Sequence, residues 1–474
     1  MTEETTDVLV IGAGPGGYAA AFQTASRGLA TTLVDLSPEP GGVCLQRGCI
    51  PSKALLHAAR VVSEAKAAAH MGVVFAPPEI DLERLRSWKD AVVGRLTGGL
   101  LEQCRRRQVR FIQGEARLLS ATRAEVTAPS GERVEIGFHH AVLACGSRPS
   151  GIPGLDLGSP RIWDSTAALA LTEIPRTLLI VGGGIIGLEL GTVYATLGSR
   201  VTVVEMTPTL VPGADGDLVR FLRKRLDGLF AGIQLETRVT ALTEEGEGLR
   251  VISVDKEGKE ESRLFDRVLV ATGRLPNSAN LGLERTRVVV GPRGFVEVDA
   301  SRLTAEPTIF AIGDLVGQPM LAHKASHEAK VVAEVLGGGK SRFEPAAIPG
   351  VAYTDPEIAW TGLTETEARK QGVEVKVVRF PWGACGRAHT MERSEGMTKL
   401  ILDPGSGRVL GVGIVGVGAG DLIAEGTLAI EMAALAGDLA DTIHPHPTLS
   451  ETLMEAAELF QGHCVHYFSP PRRG

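Results

Sequence analysis

This sequence predicts an α/β fold built on two copies of one strand, turn, helix and strand unit. Three observations predict it: a repeat at a fixed offset of 170 residues, a content of 58 glycines, and a length of 474 residues that exceeds what one hydrophobic core organises. The length sets a prior of about three domains. The glycines point to many tight turns and close backbone approaches.

The first copy reads DVLVIGAGPGGYAAAFQTASRGLATTLVDL, and the second reads RTLLIVGGGIIGLELGTVYATLGSRVTVVEM. Gly12 and Gly182, Gly14 and Gly184, Gly17 and Gly187, Gly28 and Gly198, and Asp35 and Glu205 are each 170 positions apart. Each copy predicts an apolar strand, a GxGxxG turn, a helix, and a second strand closing on an acid 23 residues after the first glycine. One glycine-rich turn can serve packing alone. Two complete copies, each with its acid, match the Rossmann-like dinucleotide-binding pattern. There the first glycine permits the turn, the second lets backbone approach a pyrophosphate, and the third lets helix pack on strand. Phosphate sits at the helix N-terminus, where free N–H groups and the helix dipole favour negative charge. The closing acid accepts hydrogen bonds from ribose hydroxyls. No Arg or Lys follows Glu205 closely to neutralise a 2′-phosphate, so the second site is expected to take NAD.

Composition narrows the partner. The net charge of −7 with no long basic run argues against nucleic acid or an anionic membrane surface, leaving a small molecule as the expected substrate. Acids precede the first apolar run where a secretory signal carries positive charge, and later apolar runs are broken by Glu189 and glycines. The chain therefore reads as a mature, cytoplasmic protein without membrane spans. Six cysteines in this length make no disulfide scaffold.

Two of those cysteines, Cys44 and Cys49, stand five apart in GGVCLQRGCIPSK. In a regular helix such residues have Cα atoms roughly 8.6 Å apart, beyond the ~7 Å reach of a relaxed disulfide. A bridge between them requires non-helical backbone, and Gly48 with Pro51 predicts a loop entering a helix that continues through PSKALLHAARVVSEAKAAA. A thiolate near a helix start has a depressed pKa, which suits exchange chemistry. A structural disulfide and a zinc site using His57 are the alternatives; the first is disfavoured by a reducing compartment, the second by the lack of another close Cys or His pair. Cys104, Cys145, Cys385 and Cys464 read as isolated small residues. Hydride chemistry on nicotinamide and thiol exchange do not meet directly, but a flavin joins them. The first unit, which runs into the cysteines, is thus expected to hold FAD.

With these residues in hand, the chain resembles the flavoprotein disulfide reductases, the class I pyridine nucleotide-disulfide oxidoreductases, and specifically the dihydrolipoamide dehydrogenases. The resemblance runs nearly end to end, through GGVCLQRGCIPSKALLH, RIWDSTAAL, VGGGIIGLELGTVY, VLVATGRLPN, IFAIGDLVGQPMLAHKA, AYTDPEIAWTGLTE, FPWGACGRA and IHPHPTLSE. It implies a discontinuous FAD domain of residues 1–150 and 277–345, an NAD domain of residues 151–276, and a C-terminal α+β interface domain of residues 346–474. It also implies that Cys44 exchanges with a dithiol substrate, that Cys49 contacts the flavin, and that Lys53 lies by the flavin paired with Glu189 beside the nicotinamide. Asp314 is implied to hold the ribityl chain, and Gly146, Ala322 and Gly273 to line the cofactor sites. From the residues alone, Lys53 and Glu189 read equally as helix-surface charges, and Asp314 as a turn residue after Gly313.

In IHPHPTLSE, Pro445 and Pro447 hold His446 extended, and Glu451 can fix its tautomer and raise its basicity. The same letters spell a capping box, with Thr448 as N-cap and Glu451 three residues on. The residues leave these readings even; the resemblance implies that His446 and Glu451 are the catalytic base and its partner. In the family this histidine comes from the other subunit, which implies a homodimer with shared sites. A lipoyl domain or lipoyl carrier protein is the implied partner.

Departures from the family pattern are Gln46 and Arg47 where Asn and Val are common, Cys145 for Thr or Ala, and Asp35 for Glu. Arg47 reads as solvent-facing; its functional alternatives are lowering a thiol pKa or attracting an acidic lipoyl carrier. Three rivals remain in view. A glutathione reductase would carry basic residues after Glu205, and a mercuric reductase a C-terminal cysteine pair where only Cys464 stands. A flavin-binding assembly subunit would hold a disulfide that no longer turns over.

Overall fold

The computed structural model describes residues 3–152, 155 and 158–468. Residues 1–2, 153–154, 156–157 and 469–474, which fall within the three expected domain spans, lie outside the described residues.

The first apolar run forms the strand Glu3–Ile11, in which Val8, Leu9 and Val10 are wholly buried. Burial on both faces is what a parallel sheet covered by helices demands. This strand pairs in parallel with Thr31–Asp35 on one side and Arg133–Leu143 on the other. Arg110–Gln113 extends the first edge, and Ile309–Ala311 pairs with Arg133–Leu143, so residues far along the chain return to this sheet. An antiparallel pair, Glu115–Ser120 and Arg123–Thr127, completes the seven strands. The helix Pro15–Ala25 lies against the helix Ala322–Leu336; a Cβ on Gly16 would come 3.1 Å from Cβ of Ala325, so glycine sets that approach.

The second repeat builds a second sheet in the same way. Gly232–Gln234, Arg200–Val204, Thr177–Val181, Arg267–Val270 and Ile162–Trp163 run parallel in that order. A three-stranded antiparallel sheet, Thr237–Glu245, Gly248–Asp255 and Glu260–Phe265, adjoins it. A short ribbon of Ser147–Pro149 paired with Arg274–Pro276 links the two parts.

From residue 350 the order changes to an antiparallel five-stranded sheet: Gly350–Ala352, Glu357–Gly362, Val409–Gly416, Met397–Leu402 and Lys376–Pro381. The helices Ala419–Glu431 and Glu451–Gln461 pack on it through a core that includes Trp382, Leu400, Ile414 and Leu453. The α/β architecture with a C-terminal α+β layer is therefore the one the sequence predicts. Among the described residues, no helix is long and apolar enough to cross a membrane.

Candidate active site

The two glycine turns repeat in their contacts as they do in their letters. Gly12 and Gly182 have φ of 99° and 113°, which only glycine adopts without strain. A Cβ on either would stand 2.4 Å from a carbonyl oxygen, that of Ala144 or of Ala271. A Cβ on Gly17 would lie 1.7 Å from the oxygen of Gly12, and one on Gly187 would lie 2.4 Å from that of Gly182. Gly14 and Gly184 differ in kind: each N-caps its helix without a side-chain cap, and a Cβ there would meet nothing within 4 Å. Open space over unpaired helix N–H groups fits the pyrophosphate of a dinucleotide at each turn. The closing acids brace the turns. Asp35 accepts from the N–H of Ala13 at 2.6 Å and of Ser37 at 2.8 Å; Glu205 accepts from the N–H of Gly183 at 2.6 Å and of Thr207 at 2.7 Å.

The cysteine segment is seated on the first of these turns. Gly41 donates its N–H to the oxygen of Ala13 at 2.8 Å, and a Cβ on Gly42 would come 2.5 Å from Cα of Gly14, so backbone lies directly on backbone here. The expected loop between the cysteines is corrected: Cys44 lies within the short helix Gly42–Arg47, and Cys49 begins the helix Cys49–Ala67. The break falls on Gly48 alone, at φ −148° and ψ −113°, where a Cβ would be 2.7 Å from the oxygen of Val43. That single kink brings the thiols into hydrogen-bond contact, which an unbroken helix forbids. Both are free thiols here. The hydrogen bond from Cys44, with the Lys53 charge, lowers Cys49 to about 7 against the opposing effect of burial. The same bond, with burial, raises Cys44. Lys53 is the cation bearing on both sulfurs, whereas Arg47 is exposed.

Lys53, one turn beyond Cys49, donates to Glu189 at 2.8 Å. Glu189 is 3% exposed on the helix of the second turn, and its other oxygen accepts from the N–H of Tyr353 at 3.0 Å. The Lys53 ammonium also lies 4.6 Å from the Tyr353 ring centre. Three distant parts of the chain thus meet at one ion pair, and the helix-surface reading of these charges does not hold for Glu189. Sequence reasoning alone does not single out Tyr353, although it stands in the AYTDPE motif.

Asp314 accepts from the hydroxyl of Ser147 at 2.5 Å, and Arg274 donates to the same hydroxyl at 2.7 Å. Gly146 (φ 66°) and Gly273 (φ 142°) flank the linking ribbon, and Ala322 begins the helix that packs on the first glycine turn's helix. His57 does not join the sulfurs; its ring lies 6.5 Å from that of Trp88, and among the described residues no metal-holding group includes either cysteine of the pair.

His446 lies elsewhere, on the approach to the helix Glu451–Gln461. Its Nδ1 is 2.9 Å from Oε1 of Glu451, and its side chain is 72% exposed. The other oxygen of Glu451 accepts from the Thr448 N–H at 2.7 Å. One carboxylate thereby serves both competing readings. The capping box itself is corrected: Ser450 is the N-cap, and the Thr448 hydroxyl turns to the oxygen of Pro445 at 2.8 Å instead of to the helix. Burial acts to raise Glu451, but the Thr448 amide and His446 together hold it below the usual carboxylate value. Among the described residues no hydrogen bond, ion pair or ring contact joins His446 to the cysteine pair within one chain.

Comparison with known proteins agrees with this geometry. Residues 6–329 match the pyridine nucleotide-disulphide oxidoreductase model, and residues 348–457 match the dimerisation domain of the same family. The dihydrolipoyl dehydrogenase of Vibrio parahaemolyticus is 49% identical over 97% of this chain and 96% of its own. That of Thermus scotoductus is 44% identical over 98% and 99%. Among solved structures, LpdA from Mycobacterium tuberculosis superposes with a TM-score of 0.88 at 25% identity, covering 96% of this chain and 99% of that one. The HOCl-induced flavoprotein disulfide reductase RclA from Escherichia coli superposes with a TM-score of 0.85 at 27% identity over the same shares. By sequence, by fold and by the placing of its paired thiols, the chain belongs to the pyridine nucleotide-disulphide oxidoreductase family.

Proposed function

We propose that this protein oxidises protein-bound dihydrolipoamide to lipoamide while reducing NAD to NADH, using Cys44 and Cys49 as the redox-active pair. The observation that carries this reading is the docking of the cysteine segment on the first glycine turn, with Lys53 reaching across to Glu189 on the helix of the second. The chemistry that FAD supplies when bound is a two-electron link between a thiolate and a nicotinamide.

The chain's own residues do the rest. A thiolate of the dithiol attacks Sγ of Cys44 in the oxidised pair; the Cys44–Cys49 bond breaks and Cys49 leaves as thiolate. Cys49 is the better leaving group, because its thiolate is the one stabilised by the Cys44 hydrogen bond and Lys53. His446, its Nδ1 held by Glu451, takes the proton of the substrate thiol on Nε2. The second substrate sulfur then displaces Cys44, closing the substrate disulfide, and its proton passes to the departing Cys44 sulfur, whose thiol form is the favoured one. The overall change is a dithiol and NAD going to a disulfide, NADH and one proton.

On this reading residues 1–150 with 277–345 hold FAD through Gly12, Gly14, Gly17, Asp35, Gly146, Asp314 and Ala322. Residues 151–276 hold NAD through Gly182, Gly184, Gly187, Glu205 and Gly273. Residues 346–474 form the dimer interface. The 72% exposure of His446 supports its serving the cysteine pair of the other chain in a homodimer. Which lipoyl protein is served is decided by assaying NAD-linked turnover against lipoyl proteins of 2-oxoacid dehydrogenase and glycine cleavage type. Turnover with at least one, lost in Cys44→Ser, supports the reading. Turnover only with glutathione disulfide or mercuric ion, or none at all, would overturn it.

A further inference from the structure

Buried charged groups outside the redox pair differ in what they hold in place. Lys399, with Asp215, Asp217 and Glu365 around its ammonium at 2.7, 2.8 and 2.9 Å, fastens the C-terminal sheet to the start of the helix Gly216–Leu229. His444 fastens something smaller, the loop that carries His446.

From Thr442 to Pro447 every residue except His444 is exposed. Such a loop has little apolar contact to fix it, so its position rests on hydrogen bonds. The His444 side chain is 5% exposed, against 72% for His446 two residues on. Its Nδ1 lies 2.8 Å from the carbonyl oxygen of Thr442, and its Nε2 lies 2.7 Å from Oε1 of Glu425. Glu425 stands on the helix Ala419–Glu431, which packs on the C-terminal sheet. The Thr442 hydroxyl in turn donates to the carbonyl oxygen of Asp438 at 2.6 Å, on the helix Ala436–Asp441. Both partners of the ring are oxygen acceptors, so both contacts are hydrogen bonds when both nitrogens carry hydrogen, and the Glu425 carboxylate then balances the charge. With both nitrogens engaged, this ring has none left for a substrate proton.

His446 is the converse. Its Nδ1 is held by Glu451, and among the described residues no hydrogen bond reaches its Nε2. Glu451 fixes how the His446 ring is turned, but it does not fix where the backbone bearing that ring enters. His444 does, from the other end of the loop. Resting on the proposed function, in which His446 takes the substrate proton, we propose that His444 and Glu425 are positioning residues for that transfer. They clamp the loop entrance to the helix Ala419–Glu431 and so hold Nε2 of His446 in place for the incoming thiol. No proton or electron passes through His444. Its contribution is geometric, and misplacing a reacting group by about 1 Å costs up to roughly 10²-fold in rate.

The test is a double-mutant cycle on the flavin-loaded protein, read in kcat with dihydrolipoamide. His444→Ala should lower kcat by roughly 10- to 10²-fold, with flavin content, KM for NAD and flavin reduction by NADH unchanged. Glu425→Ala should do the same, and the two together should cost no more than either alone. Glu425→Gln, which keeps an oxygen for the ring, should recover most of the rate. On a His446→Gln background, His444→Ala should cost nothing further, because a positioning residue acts only through the group it positions. If His444→Ala fails to fold, Glu425→Ala, at a carboxylate 31% exposed, carries the same prediction. An undiminished kcat in His444→Ala and Glu425→Ala beside an impaired His446→Gln would overturn this inference and leave the proposed function standing. An unimpaired His446→Gln would overturn both. A loss repeated in full on the His446→Gln background, or one that extends to flavin content and the NADH half-reaction, would make His444 a general support of the fold and overturn the inference equally.

Discussion

After Asp35 the chain turns into a kinked helix that lays Gly42 on Gly14 and carries two thiols. After Glu205 it instead wraps Leu210 and Val211 over Gly183, with the Val211 N–H on the Gly183 oxygen at 2.9 Å. It then enters the helix Gly216–Leu229, whose start is gripped by Lys399 from the C-terminal sheet. The turns themselves share φ values, braced acids and close approaches almost atom for atom. On the proposed function, the segment after each turn is what distinguishes an electron-exchanging site from a nicotinamide site. A glycine fingerprint specifies where a pyrophosphate can lie; the neighbour specifies what the nucleotide does.

Breaking each turn separately gives the largest expected effect. Gly17→Val puts side-chain atoms into the oxygen of Gly12 and should yield a protein that purifies without flavin and is inactive. Gly187→Val should yield a yellow protein in which the dithiol still reduces the flavin but NAD no longer reoxidises it. Absorbance spectra with rapid-mixing of each half-reaction check this, and equal loss of flavin in both would break the comparison.

The next effect concerns proton transfer. His446→Gln should lower kcat with the dithiol by roughly 10²- to 10⁴-fold while leaving flavin content and the NADH half-reaction unchanged. Mixing the weakly active His446→Gln with inactive Cys44→Ser chains should raise the activity above that of either alone, because sites shared between subunits, as proposed, pair an intact histidine with an intact cysteine. Assays of refolded mixtures read this directly.

Lys399→Met sharpens the comparison at the second turn. Removing an ammonium that is 1% exposed from three carboxylates should cost about 3–5 kcal/mol of stability by denaturant titration. It should also raise KM for NAD more than KM for the dithiol. Burial alone would raise Asp215 and Asp217, yet Lys399 holds both below the usual carboxylate value. Their folded pKa values are depressed, so the stability they contribute is present above the unfolded value of 3.8 and is lost as pH falls through the lower folded values. Lys399→Met should remove that part of the acid sensitivity.

Much of the molecule is legible in its letters because it is local. The repeat, the strand and helix of each copy, and the Gly48 break between two thiols all depend on residues within one turn of each other. The pair Lys53 and Glu189 is legible only through resemblance, since 136 positions separate them and each alone looks like a surface charge. Tyr353, Ser147 with Arg274, and the Lys399 group escape because their partners arrive from other sheets. At Thr448 a local rule misleads: the cap passes to Ser450 once the Thr448 hydroxyl finds Pro445. At Cys464 the chain reversal after Gly462 places the thiol 2.8 Å from Oε2 of Glu455, a neighbour that spacing along a straight chain hides.

On the proposed mechanism Cys49 becomes a thiolate held against oxidised flavin when the dithiol is consumed. Anaerobic titration of the flavin-loaded protein with dihydrolipoamide tests it most directly. One equivalent per chain should produce a long-wavelength absorption that strengthens as pH rises through about 7, where Cys49 loses its proton, and that is absent from Cys49→Ser. Bleaching of the flavin with no such band at any pH would mean that Cys49 forms no thiolate against the flavin.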